Sequence, residues 1–277
     1  NTYPQTALSN WKFDEGTGGA TNSGTSSANN GTLSNGAAFS SGTLNLDGNF
    51  TIATNGFFSA PRGGAGFEFG GSVWENNSGD VTNSYIHNNG TLKFNRSGNQ
   101  ILRGGTSANG TVFYNLEAQN SGYVDSYEKY TVVNKLQTKA GQTWYQNAGT
   151  DIFIGAVGTN GELEVNGVWH FSSGTTTSTI TGANTNAGGA ALIDWNDDSM
   201  NNGGVKIVEL NNVNVDGTFT TGGSSDITFK LTGDCEFDAV TVSSGDTLDI
   251  NGQRVEFGGD VTYQGTIDAD GLLVFHG

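Results

Sequence analysis

The chain has 277 residues, of which 44 are Gly, 2 Pro, 1 Cys and 1 Met, and only 34% are hydrophobic. Gly at more than twice its usual share of about 7%, each costing a helix interior about 1 kcal/mol relative to Ala, excludes long helices, while the length suffices to bury a core. A formal charge of −16 repels a phosphate backbone and excludes nucleic acid as a partner. A lone Cys235 makes no intrachain disulfide, no Cys/His group has zinc-ligand spacing, and no apolar run reaches the length of a membrane span.

In chain order, short stretches alternate polar and apolar residues with period two, as half-buried strands require. They are Thr43-Leu44-Asn45-Leu46, Asn49-Phe50-Thr51-Ile52, Thr91-Leu92-Lys93-Phe94, Glu162-Leu163-Glu164-Val165, Ile227-Thr228-Phe229-Lys230-Leu231 and Thr247-Leu248-Asp249-Ile250. Between them stand Asp47-Gly48, Asn55-Gly56, Asn89-Gly90, Asn109-Gly110, Asn166-Gly167, Asp216-Gly217 and Asn251-Gly252, pairs that favour tight corners. Near the C-terminus the phrases recur in order: Ala239-Val240-Thr241-Val242, Thr247-Leu248-Asp249-Ile250, Arg254-Val255-Glu256-Phe257, Val261-Thr262-Tyr263 and Thr266-Ile267-Asp268. Three short faces joined at Gly or Asn corners make a rung of roughly 20 residues, the period of a repeat architecture. The expectation is an all-β parallel β-helix, a β-solenoid whose inward Val, Leu, Ile and Phe stack about 4.8 Å apart; roughly ten rungs or more give a rod on the order of 50 Å. Residues 1–48 form a separate N-terminal β segment, a cap or inter-subunit strand, and 49–277 the solenoid, with loop insertions near 120–130 and 172–203.

Two resemblances add to this reading. Residues 49–61, Gly70-Gly71-Ser72-Val73-Trp74-Glu75-Asn76, residues 87–95 and Val112-Phe113-Tyr114-Asn115-Leu116 resemble the rung phrases of bacterial cell-surface and phage-fibre β-helices. That resemblance implies a right-handed coil. Leu8-Ser9-Asn10-Trp11-Lys12-Phe13-Asp14-Glu15-Gly16, with Asn29-Asn30-Gly31-Thr32-Leu33 and Leu44-Asn45-Leu46-Asp47-Gly48, is similar to the opening of a laminin-G-like, concanavalin-A-type jelly roll.

Candidate chemistry is sparse. Asp194, Asn196 and Asp198 alternate as in the first half of a calcium loop, but Ser199 stands where that loop needs Gly and Val205 where it needs Glu. Calcium is therefore the one cofactor to weigh, beside none at all. Trp144-Tyr145 and Trp195 read as loop aromatics that could stack on a glycan, and Tyr123 and Tyr127, in the stretch 120–130, as a partner-contact loop. Asp234, Glu236 and Asp238 place three carboxylates on one strand face, which a polysaccharide lyase or hydrolase would use but which an acidic solvent face opposite the apolar one explains better. Cys235 alternates to the opposite, inward face. His87, His170 and His276 stand beside no nucleophile motif.

The reading is of a non-catalytic structural or adhesive protein, outside the cell, as a subunit or shaft of a surface fibre, filament or virion appendage. Self-association is expected because the apolar phrase Gly271-Leu272-Leu273-Val274-Phe275 carries no helix or charged cap and asks for cover by further chain or another subunit. A glycan-binding module is the first alternative and a β-helix polysaccharide lyase or hydrolase the second.

Overall fold

A computed structural model describes residues 11–12, 21–22, 38–40, 43–61, 66–106, 110–147, 149–156, 161–165, 167–171, 177–182, 191–195, 200–202, 207–222 and 226–276. The alternating stretches are strands, and nearly every one pairs parallel with the strand one rung further along. On the first face the ladder runs through Thr43–Leu46, Phe67–Phe69 and Thr91–Phe94, the second halves of Thr111–Ala118 and Tyr130–Thr138, then Glu162–Val165 and Ala191–Trp195. It continues through the first halves of Val213–Thr220 and Cys235–Val242 to Arg254–Phe257 and Leu272–Phe275. A second face begins with Phe50–Ile52, Val73–Asn76, Gln100–Arg103, Tyr123–Tyr127, Thr143–Gln146, Val168–Phe171 and Met200–Asn202. A third carries Asp151–Ile154, Ser178–Gly182, Ile207–Asn211, Thr228–Leu231, Thr247–Asp249 and Thr266–Asp268. The chain is an all-β parallel β-solenoid. Its only helical residues among those described are the single turn Val81–Ser84.

Four strands are longer than one face. Thr111–Ala118 and Tyr130–Thr138 cross from the third face to the first, and Val213–Thr220 and Cys235–Val242 from the first to the second. Their ladders slip by a residue at the crossing, between Phe113 and Asn115 and between Val215 and Thr218, and such a bulge bends the strand around the corner.

The coil already includes Thr43–Leu46, six residues before the expected boundary, and Ala38–Ser40 lies antiparallel on it. Trp11–Lys12 pairs antiparallel with Thr21–Asn22; the remainder of the jelly-roll-like segment lies outside the described residues. The stretch 120–130, expected as a loop, is mostly strand. Tyr123–Tyr127 alternates inward Val124 and Ser126 with outward Tyr123, Asp125 and Tyr127, and Tyr130 is buried at the head of the next strand. Within 172–203, Ser178–Gly182, Ala191–Trp195 and Met200–Asn202 occupy ordinary coil positions.

Parallel in-register stacking puts like on like in the core. Leu92, Leu116, Leu136 and Leu163 stand one above another on the first face, each at most 1% exposed. Further along the same face Phe237, Phe257 and Phe275 stack at ring centroids of 6.1 and 5.3 Å, near the offset arrangement aromatic rings prefer. Buried polar side chains close the corners: Gln100 Nε2 donates to the carbonyls of Phe69 and Gly71 at 2.7 and 2.9 Å. Asp246 takes the Ile227 N–H on one oxygen and the Thr221 hydroxyl on the other, at 3.1 and 2.6 Å. Each meets backbone groups that a corner would otherwise leave unpaired.

Candidate functional site

Parallel register also aligns what points outward, and on the second face it assembles an aromatic row. Tyr145 pairs in register with Asp125 on one side and His170 on the other, and Tyr123 leans diagonally towards it. Tyr123 and Tyr145 lie 4.6 Å apart by ring centroid, Tyr145 and His170 4.3 Å apart and stacked at 30°. Asp125, beside Tyr145 in register, accepts a hydrogen bond from Tyr127 Oη at 3.0 Å and another from Asn147 Nδ2. Below it Arg103 lies over the Tyr127 ring at 4.8 Å and its Nε is 3.9 Å from Glu75 Oε1. The strip spans five successive strands, from Val73–Asn76 to Val168–Phe171.

Its outward side chains are half-buried because each leans on the next. Burial holds the His170 imidazole below its ordinary value, with the Asp125 charge opposing, and burial alone does the same for His87, which stacks on Tyr114 at 5.6 Å. A lowered folded-state value means that the unfolded chain binds more protons once pH falls below about 6.5. Both histidines therefore withdraw stability on acidification and contribute no penalty above that pH. In a side-chain NMR titration both should titrate below 6.5, and Asp125→Asn should move the His170 midpoint further down; an upward shift would contradict this electrostatic picture.

Of the five residues expected to contact a ligand, Tyr123, Tyr127 and Tyr145 are brought together on this strip. Trp144 is not: it is 0% exposed, because the alternation of Thr143-Trp144-Tyr145-Gln146 turns the indole inward as it turns Tyr145 out. Its ring stacks on Trp169 at 5.9 Å and its Nε1 donates to Ser126 Oγ at 3.1 Å. Trp195 belongs to the first-face strand Ala191–Trp195 rather than to a loop. Asp194 is in that strand too, in register between Glu164 and Asp216; Asn196 and Asp198, the other members of the calcium candidate, lie outside the described residues. His170, Asp125 and Arg103 were missed. The signal for Asp125 and His170 is the column through Ile101, Asp125, Tyr145 and His170, and for Arg103 the column through Glu75, Arg103 and Tyr127; both appear only once the rung length is known.

Asp234, Glu236 and Asp238 are exposed on one face, as expected. Asp234 Oδ1 accepts the Arg254 N–H at 3.1 Å and Glu236 Oε2 accepts from Asn214 Nδ2 at 3.1 Å, so both serve the ladder between rungs. Cys235 faces inward between them, and burial pushes its thiol up to about 12. Since only the thiolate is nucleophilic, iodoacetamide at pH 8 should leave Cys235 unmodified in the folded protein and alkylate it on unfolding, read by mass spectrometry. Rapid labelling of the native protein would contradict its placement.

No family model, no curated protein and no solved structure matches this chain.

Proposed function

We propose that the protein is a non-catalytic structural and adhesive element: a rigid shaft that works outside the cell in a surface fibre, filament or virion appendage. The observation that carries this reading is the first-face ladder, which passes through strand after strand from Thr43–Leu46 to Leu272–Phe275 with like residues stacked inside it. Backbone pairing at every layer resists bending and local opening, and carboxylates such as Asp234, Glu236 and Asp238 keep the outer surface charged and soluble. Self-association belongs to the same reading. At the last described rung Tyr263, Leu272 and Phe275 are 64, 58 and 62% exposed, an apolar surface that further chain or a rung of a second copy would cover.

The test is immunogold electron microscopy of native source material with an antibody against the full chain. Label along extracellular filaments or appendages is the expected result; label confined to the cell interior would overturn the reading. Glycan binding is a second reading, favoured by the Tyr123, Tyr145 and His170 row, which brings polar aromatic tips together on an otherwise acidic rod.

A further inference from the structure

The geometry points to the outward row Tyr123, Tyr145 and His170 as a binding site for a neutral linear glycan lying along the solenoid axis, roughly one sugar per rung. This inference rests on the glycan-binding reading and places it on the outer second face of the coil rather than on the N-terminal segment.

The argument begins with spacing. Three side chains from three successive strands stand 4.6 and 4.3 Å apart, so the row repeats at about the 4.8 Å interval of stacked strands. A ligand matched to it is a chain with recurring polar groups at a comparable step, laid parallel to the axis.

Next comes chemistry. His170 stacks on Tyr145 at 30° and Tyr123 meets it at 56°, so the three rings cover part of one another and stay half-exposed to solvent. The Tyr123 and Tyr145 hydroxyls and the His170 ring have no hydrogen-bond partner among the described residues, in contrast to Tyr127, whose hydroxyl is taken by Asp125. A phenol both donates and accepts, and a neutral imidazole offers one donor and one acceptor. With burial holding His170 neutral near pH 7, the row presents both roles at every step, as sugar hydroxyls do. Rims of half-buried rings add apolar contact for sugar C–H groups at low cost in conformational entropy, since Tyr has few rotatable bonds.

Charge then selects among glycans. The chain carries −16 overall, and the strip itself holds Asp125 and Glu75, with Arg103 already facing Glu75 and Tyr127. Uronates and sulfates meet repulsion there, whereas an uncharged chain does not.

The experiment is calorimetric titration of the full chain with cellohexaose and with chitohexaose, with hexagalacturonate as the anionic comparison. At least one neutral hexasaccharide should bind, more tightly than its own disaccharide, which is too short to span the three-residue row, and more tightly than hexagalacturonate. Tyr145→Ala should weaken that binding at least tenfold and Tyr145→Phe, which removes only the hydroxyl, about threefold. Tyr263→Ala, on the last described rung and in register with inward Val242, should leave it unchanged. Tyr145→Phe keeps the ring contacts with Tyr123 and His170, so its result stands even if the alanine variant is destabilised. Absence of binding to both neutral glycans, tighter binding of hexagalacturonate, or affinity unaltered in both Tyr145 variants would overturn the inference. None of these outcomes touches the shaft reading, which immunogold labelling decides separately.

Discussion

Trp144→Ala is expected to lower unfolding free energy by about 3–5 kcal/mol, the range for emptying a buried aromatic site. The indole is wholly buried and touches rings on every side: Trp169 at 5.9 Å, Phe94 and Tyr130 each at 6.2 Å. A solenoid layer collapses poorly around a cavity, since the rungs above and below are fixed by their own ladders. Removing the indole also leaves Ser126 Oγ without the Trp144 N–H it accepts, although Ser126 still donates to the Tyr145 carbonyl at 2.8 Å. Urea denaturation followed by far-ultraviolet circular dichroism reads the loss. By contrast Tyr145→Ala, next door but half-exposed, should cost a small fraction of that. Equal losses from the two variants would contradict the inward and outward assignment.

Gly110→Ala should be the most damaging single-methyl addition at a corner. Gly110 has φ +61°, and a Cβ placed on it would sit 1.8 Å from the Lys129 carbonyl oxygen and 2.7 Å from the Tyr130 nitrogen, backbone atoms of the next rung. A left-handed conformation costs an ordinary residue about 1–2 kcal/mol; here the clash must also push two rungs apart. The displaced corner feeds Thr111, whose N–H and hydroxyl both reach the Gly104 carbonyl, at 2.8 and 2.7 Å. Gly141 supplies the comparison: its φ is +77° but nothing lies within 4 Å of its added Cβ. Gly141→Ala should therefore lose only the conformational penalty, and Gly110→Ala at least twice as much by the same denaturation measurement. If the two variants lost the same amount, the close stacking of successive corners would be wrong.

These contrasts mark what the sequence makes legible. Thr91-Leu92-Lys93-Phe94, Glu162-Leu163-Glu164-Val165 and Thr228-Phe229-Lys230-Leu231 declare their inward and outward sides by strict alternation, and each is a coil strand. Cys235 was placeable as inward for the same reason. Alternation fails where the side chains are ambiguous about water. Thr143-Trp144-Tyr145-Gln146 carries two aromatics in a row, and only the register with Val168–Phe171 decides that Trp144 pairs with Trp169 inside while Tyr145 pairs with His170 outside. In 123–127 both outward neighbours of Asp125 are Tyr, so the stretch has no clear apolar face and resembles a loop. The aromatic row is invisible for a further reason: Tyr123, Tyr145 and His170 are about a rung apart in sequence, and rung lengths vary with each corner. In the crossing strand Val213–Thr220 the pair Asp216-Gly217 marks the bulge between Val215 and Thr218, but Thr111–Ala118 hides two faces in one unbroken run, because Tyr114, with no Gly or Pro beside it, stands at the bulge between Phe113 and Asn115.

Stacking of successive rungs in register is the claim on which all of this depends, and three threonines on the third face test it directly. Thr228, Thr247 and Thr266 form one outward column, each paired with the next. Adjacent positions should be about 4.8 Å apart and alternate ones about 9.6 Å, against a disulfide range of about 4.4–6.8 Å between Cα atoms. In a Cys235→Ala background, oxidation of Thr228→Cys with Thr247→Cys, and of Thr247→Cys with Thr266→Cys, should give intrachain disulfides detectable by peptide mapping. Thr228→Cys with Thr266→Cys should give none. A disulfide in that skipped pair, or its absence from both adjacent pairs, would contradict the solenoid register.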